Sequence, residues 1–513
     1  MEAAGAAVGL IAHAIKLGRE LIELYRTVTD AQDEIAERAL YVRAQWTRME
    51  VQLEFIERIW RSLREDHRVL QREILSVLTV KLESAKSRLS GLMKKPTGSD
   101  QVDNQHPAVK RWKYMFVKPY LDETITSLDR WQQMYDPSWW LVLRIAGPLV
   151  DAELSRQDAR RASRETTVIS TAKQVRATLQ GGAALGTNLT LSSAGPANSR
   201  SSSIPYSSAR YMERPGKAGL IVDSIHCLHG AYVGDMNSDV RTLAAKLQSA
   251  DSLTFGVLRC RGFTKVKSSN GARLESFNLV LETKTIDPPR TLRSCLIAQT
   301  THTLTERIGL AKQLARSINY VHTMDFVHKN VRPDNLLGFG DAKLGPFFLV
   351  GFEQIRSADG MTYFRGDADW EKNLYRHPER QGFNPGERYC MQHDIYSLGV
   401  CLLEIGLWES FVLYPEGEKK PYPNTKLLGL SVQALQKKTP NGIKRLLVEL
   451  ATRELPGRIG ELYRDVVLNC LTCLDEDNMD FGEESEFDDD ADGVAVGVRY
   501  IEKVLLKLDS INM

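Results

Sequence analysis

Residues 321–335 read VHTMDFVHKNVRPDN, a stretch in which His328, Asn330, Arg332, Asp334 and Asn335 crowd together. Working outward, LTERIGLAKQLARSINYVH at 304–322 carries apolar residues at helical spacing. Further upstream the β-branched and aromatic runs GLIVDSI (219–225), LTFGVLRC (253–260) and SFNLVLE (276–282) predict strands. Strands first and helices after, over roughly 300 residues, predict an α+β fold for the second part of the chain.

The spacing of His328, Asn330 and Asn335 resembles the protein-kinase catalytic loop H-R-D-L-x-x-x-N, with Arg332, Pro333 and Asp334 between them. RHPER resembles the A-P-E motif through Pro378 and Glu379. HDIYSLGVCLLEI looks like the segment that opens the large central kinase helix, through Asp394 and Gly399. These motifs come in kinase order over residues 217–513, and the resemblance implies a two-lobed fold with a first lobe at about 217–300 and a second at about 301–513. It further implies that His328, Glu379 and Asp394 tie the loop, the activation segment and the central helix together.

The groups that perform phosphoryl transfer are replaced. Asn330 stands where the kinase base is an aspartate, and Gly351-Phe352-Glu353 stands where D-F-G places its magnesium ligand. The strand expected to carry V-A-I-K puts a residue near His226 in the lysine's position, the next helix offers no glutamate, and Gly216 and Gly219 alone make no glycine-rich loop. Asn335 and Glu353 are the remaining candidates for a nucleotide or metal contact. Losing all these groups together leaves little to position ATP, so the expectation is a pseudokinase with weak ATP binding or none. The alternatives are a divergent active serine/threonine kinase and a scaffold that only binds proteins.

Residues 1–180 read as helices. Ile11, Ile15, Gly18, Ile22 and Tyr25 form one seam, and Ile35, Ala39, Val42, Trp46, Met49, Leu53, Ile56, Trp60 and Leu63 form a second. Leu78, Leu82, Ala85, Leu89 and Leu92 form a third, and a fourth helix is expected over 108–135, stopped by Asp136-Pro137. An apolar segment at 141–154 follows, and the whole predicts an all-α bundle. The alanine- and glycine-rich start and Trp131, Asp136, Pro137, Ser138 and Trp139 resemble fungal HeLo and HeLo-like domains of the prion-inhibition and propagation type. The combined architecture is similar to that of mixed-lineage kinase domain-like pseudokinases. The resemblance implies incompatibility or cell-death signalling, with protein partners as upstream sensor or by self-association. Val8, Leu10, Ile11 and Ile15 are the candidates for contact with a membrane surface on activation.

Between these parts, 181–216 is rich in serine and glycine and predicts a flexible linker. A formal net charge of +2 gives no field for nucleic acid. The seven cysteines form no regular framework and no secretory signal precedes them, so the expectation is a cytoplasmic protein with reduced thiols. No metal site is expected: Cys470 and Cys473 make a lone pair, and the acidic run 475–492 has Arg499 where a calcium loop needs glutamate.

Overall fold

The computed structural model describes residues 2–28, 33–93, 107–145, 147–160, 167–180, 189–191, 200–227, 233–268, 273–340, 344–352, 356–357, 369–382, 389–415, 420–481 and 493–511. The chain divides into two compact units, Met1–Ala172 and Lys173–Met513.

The first unit is helical. It comprises α1 (Glu2–Val28), α2 (Asp33–Ile59), α3 (Glu65–Met93), α4 (Pro107–Leu141), α5 (Pro148–Arg160) and the start of α6 (Thr167–Leu179). Helix α1 packs on α2 and α3, and α4 packs on the same two. The predicted seams are the core: Ile11, Ile15, Tyr25, Trp46, Met49, Leu53, Trp60, Leu78, Leu82 and Leu89 are all buried. Side chains of Ile35 and Leu92 lie outside the described residues. A Cβ on Gly18 would sit 2.0 Å from the Trp46 indole, so glycine there is what lets α1 and α2 approach.

Asp136-Pro137 does not stop the fourth helix, which runs through Pro119 and Pro137 to Leu141. An interior proline removes one helical hydrogen bond and costs about 3 kcal/mol. Burial of Trp139, Trp140 and Leu141 just beyond it offsets that cost. A 3₁₀ turn at Val142–Arg144 then separates α4 from α5, so the apolar segment at 141–154 is not one helix. Among the described residues no helix is long and apolar enough to cross a membrane.

The second unit opens with β1 (Arg200–Ser203), β2 (Arg210–Arg214) and β3 (Lys217–His226), followed by α7 (Val233–Gln248), α8 (Ser252–Phe255), β4 (Cys260–Lys267) and β5 (Leu274–Glu282). The five strands form one antiparallel sheet in the order β1-β2-β3-β5-β4. This corrects the linker boundary at 216. Residues 200–203 and 210–214 are strands, and Leu189 and Leu191 exchange main-chain hydrogen bonds of 2.8 Å with Phe263 on β4. The serine-rich composition hid these strands because an edge strand needs little apolar surface; all four residues of β1 are exposed. Positions 181–188 and 192–199 lie outside the described residues. The run LTFGVLRC is also not one strand, since its first three residues belong to α8 and only Cys260 to β4.

The remainder is mostly helical. It comprises β6 (Pro289–Thr291), α9 (Leu292–Ala298), α10 (Leu304–Thr323), β7 (Phe326–Val327), β8 (Leu336–Phe339), β9 (Phe347–Leu349), β10 (Arg356–Ser357), α11 (Trp370–Asn373) and α12 (Met391–Leu407). Then come β11 (Val412–Leu413), β12 (Tyr422–Pro423), α13 (Thr425–Leu428), α14 (Val432–Lys437), α15 (Pro440–Ile459), α16 (Glu461–Leu471), α17 (Val494–Tyr500) and α18 (Leu506–Ser510). Every residue of α12 is buried, and α10, α15 and α16 pack around it. A Cβ on Gly399 would meet Cys470 Cβ at 2.8 Å, so this glycine sets the α12–α16 contact.

Candidate active site

The loop 328–335 hangs from α12. Asp394, fully buried at its first turn, accepts from the backbone N–H of His328 (2.6 Å) and Lys329 (2.9 Å), from Tyr389 Oη (2.7 Å) and from His322 Nε2 (3.1 Å). Burial pushes the Asp394 pKa up, but the His322 hydrogen bond and the histidine and tyrosine neighbours outweigh it and hold the carboxyl below its usual range. His328 packs against Phe352 at 4.9 Å, and burial lowers its pKa to about 4, so the ring is neutral. Asp394 thus holds the start of the 328–335 loop to α12.

Where a kinase gathers cations around phosphate, this loop bonds to itself. Asn330 Nδ2 donates to the Gly351 carbonyl (3.1 Å), and Asn335 Nδ2 donates to the Asn330 carbonyl (2.7 Å). Asn335 also fills the room that a side chain at 351 would need: a Cβ there would lie 2.4 Å from Asn335 Cγ, and Gly351 has φ +85°, which favours glycine. Gly351 is therefore fixed by packing as well as lacking a ligand atom.

From the other side, strand β3 delivers a carboxylate. Asp223, fully buried, accepts from the backbone N–H of Gly351 (2.9 Å) and of Phe352 (3.0 Å). Setting L-I-V-D (220–223) against V-A-I-K puts Asp223, not His226, in the lysine's place. His226, expected near the lysine's position, is instead the exposed last residue of β3. Sequence reading passed over Asp223 because an acid inside an apolar run reads as an outward residue. An acid thus stands where the kinase motif places the lysine that pairs with phosphate.

The turn between β1 and β2, residues 204–209, folds down as well. Ile204 and Ala209 are buried, Thr291 Oγ1 donates to the Pro205 carbonyl (3.1 Å), and the Tyr206 ring lies 4.7 Å from that of Tyr414. Beneath it, Arg293 on α9 is buried and bonds Asp334 (3.0 Å), Glu404 (2.8 Å), Ser410 (2.8 Å) and Tyr375 (2.7 Å). This cluster joins α9, the 328–335 loop and α12, and nothing in the sequence singled out Arg293 or Glu404. Asp334 therefore serves structure, Arg332 is half-buried, and Pro333 opens a buried 3₁₀ turn. Pro378 and Glu379 begin a second such turn, described below. Glu353 lies outside the described residues.

In the first unit the motif residues form an interior network. Asp136 pairs with Arg48 (2.6 Å) and accepts from Gln52 (3.0 Å), while Ser138 Oγ meets His67 Nε2 (2.9 Å) and Gln71 Nε2 (2.8 Å). Trp131 donates to the Ile74 carbonyl (2.9 Å) and stacks on Tyr135 at 4.6 Å. Ile11 and Ile15 are core, whereas Val8 and Leu10 are half-buried.

No family model matches the chain. It is 31% identical over 136 residues to the mitosis inhibitor protein kinase mik1 of Schizosaccharomyces pombe, covering 24% of this chain and 21% of the relative. It is 30% identical over 115 residues to mitogen-activated protein kinase kinase 9 of Arabidopsis thaliana, covering 22% of this chain and 35% of the relative. Mitogen-activated protein kinase kinase 7 of the same plant matches at 30% over 116 residues, again 22% and 35%. The matches span only about a fifth to a third of these relatives. With the motifs and geometry above, this partial similarity to protein kinases identifies a kinase-like region within the chain.

Proposed function

We propose that the second unit is a two-lobed pseudokinase and that it regulates the N-terminal helical bundle in signalling of the incompatibility or cell-death kind. The observation that carries the first half is Asp223, a buried acid bonded to the two backbone amides of Gly351 and Phe352. Converting this pocket to a phosphate site requires a cation at 223, an acid at 351 and a different rotamer at Asn335 together. The test is a thermal-shift titration of the full chain with ATP, with and without magnesium. No rise in melting temperature at millimolar ATP is the expected result. A magnesium-dependent rise that Asn335→Ala removes returns the chain to the divergent-kinase reading.

The second half rests on the resemblance of the bundle. In this reading the protein is cytoplasmic and meets protein partners and a membrane surface peripherally once activated. Since Ile11 and Ile15 are core residues, they reach a membrane only if the bundle opens. Asp136→Ala, which loosens the interior network, is expected to let the full chain leak anionic vesicles, and Val8→Glu on top of it to weaken the leakage. An opened bundle that leaves vesicles intact favours the scaffold.

A further inference from the structure

The segment before α12 gathers three ligand-type side chains, of which the kinase resemblance gives a role only to Glu379, as a tie to the central helix. The 3₁₀ turn at Pro378–Arg380 brings Glu379 back toward His377, and the first turn of α12 adds His393. His377 Nδ1 lies 3.3 Å and His393 Nε2 3.4 Å from the same oxygen, Glu379 Oε2, and the three ligand atoms all fall within 4.8 Å of one another. Both rings are buried, while the Glu379 side chain is 47% exposed. His377 and Glu379 open on a cavity of about 800 Å³ that Asp475, Glu476 and Asp477 also line.

The two histidines differ in what they can do. The Cys390 backbone N–H donates to His393 Nδ1 at 2.9 Å, so that nitrogen's lone pair is used. The neutral ring then carries its proton on Nε2 and donates it to Glu379, which orients the carboxylate. His377 is the reverse case: Nδ1 meets Glu379 Oε2 at 3.3 Å short of good hydrogen-bond geometry, and Nε2 has no hydrogen bond among the described residues, although the side chain is 5% exposed. A buried imidazole left in that condition beside a carboxylate calls for a partner. Zinc held by nitrogen and oxygen at about 2.0–2.1 Å needs tetrahedral ligand separations of about 3.3 Å, and the His377–Glu379 separation is 3.3 Å.

We propose that His377 and Glu379 bind one divalent transition-metal ion, zinc or a close analogue, with His393 as the positioning residue for Glu379. Water completes the coordination; Lys444, which also lines the cavity, pairs with Asp475, so Glu476 and Asp477 are the carboxylates left to favour the cation. One imidazole with carboxylate and water favours zinc, cobalt or nickel over magnesium or calcium. Bound there, the ion would lock the turn 377–380 to the base of α12.

The experiment is a cobalt(II) titration of the full chain after chelator treatment, read by visible absorption. One equivalent is expected to bind, to be displaced by zinc, and to raise the melting temperature. His377→Gln and Glu379→Gln should each weaken cobalt binding about 100-fold, and His393→Gln about 10-fold with a shifted visible band, as for loss of an outer-shell partner. Should His377→Gln fail to fold, Glu379→Gln at the half-exposed position carries the test. The proposal is overturned by the absence of stoichiometric cobalt binding, by binding that both substitutions leave unchanged, or by a near-ultraviolet thiolate-to-cobalt band showing that cysteines hold the ion.

Discussion

Each unit buries an aspartate, and the two are satisfied in different ways. Asp136 in the bundle is held by side chains, Arg48 and Gln52, which reach it from a neighbouring helix. Asp394 in the kinase-like unit adds the main chain, accepting from the amides of His328 and Lys329 beside the Tyr389 and His322 side chains, and Asp223 repeats the main-chain contacts on Gly351 and Phe352. A carboxylate bonded to side chains fixes how helices pack and can be released by a rotamer change. One bonded to amides fixes the path of a loop, and the loop cannot move while the acid stays. The contrast assigns plasticity to the bundle and rigidity to the 328–335 loop.

The sharpest way to break that contrast is Asp394→Ala. It strands two buried amides and the Tyr389 hydroxyl, at about 1–3 kcal/mol for each unsatisfied group, so a loss above about 3 kcal/mol is expected in urea unfolding. A loss below about 1 kcal/mol would mean that the loop holds its own shape.

Acid comes next, because each unit also buries a neutral histidine. Burial lowers the pKa of His67 from 6.5 to about 4, and that of His328 likewise. The unfolded chain takes up a proton near pH 6.5 and the folded chain only near 4. Stability is therefore full above pH 6.5 and declines as pH falls through that window, by up to about 3 kcal/mol for each ring. Hydrogen exchange of α3 and of the 328–335 loop should each quicken between pH 6.5 and 4, and His67→Gln should flatten the response of α3 alone.

A smaller effect is expected from Asp136→Ala, about 2 kcal/mol, because Arg48 is part-exposed and can turn to water. Its signature in hydrogen exchange is faster opening confined to the bundle. Smaller again, Gly18→Ala forces the Trp46 indole aside at about 1–2 kcal/mol, measurable by thermal melting, with no change in the kinase-like unit.

The sequence made the helical seams legible because a period of 3.6 reports burial directly, and Ile11 through Leu89 fell into the core as expected. His328 in the loop and Asp394 on α12 were legible as a spaced pattern. Three features were not, each for a physical reason. Asp223 needed the register of β3, which a run buried on both faces does not fix by alternation. Pro137 looked like a stop because local backbone preference says nothing of three large side chains packing beyond it. Strands β1 and β2 were concealed by polar composition, since pairing with β3 supplies what their side chains lack.

Those two edge strands change how the molecule can be dissected. A fragment beginning at residue 217 would lack β1, β2 and the Leu189–Leu191 segment, and so would strip the cover from both sides of the remaining β3-β5-β4 sheet. Bare strand edges recruit other chains, so such a fragment should aggregate however sound its interior. The kinase-like unit therefore has to be excised upstream of residue 189, and the polar stretch read as a tether belongs in part to the body it seemed only to connect.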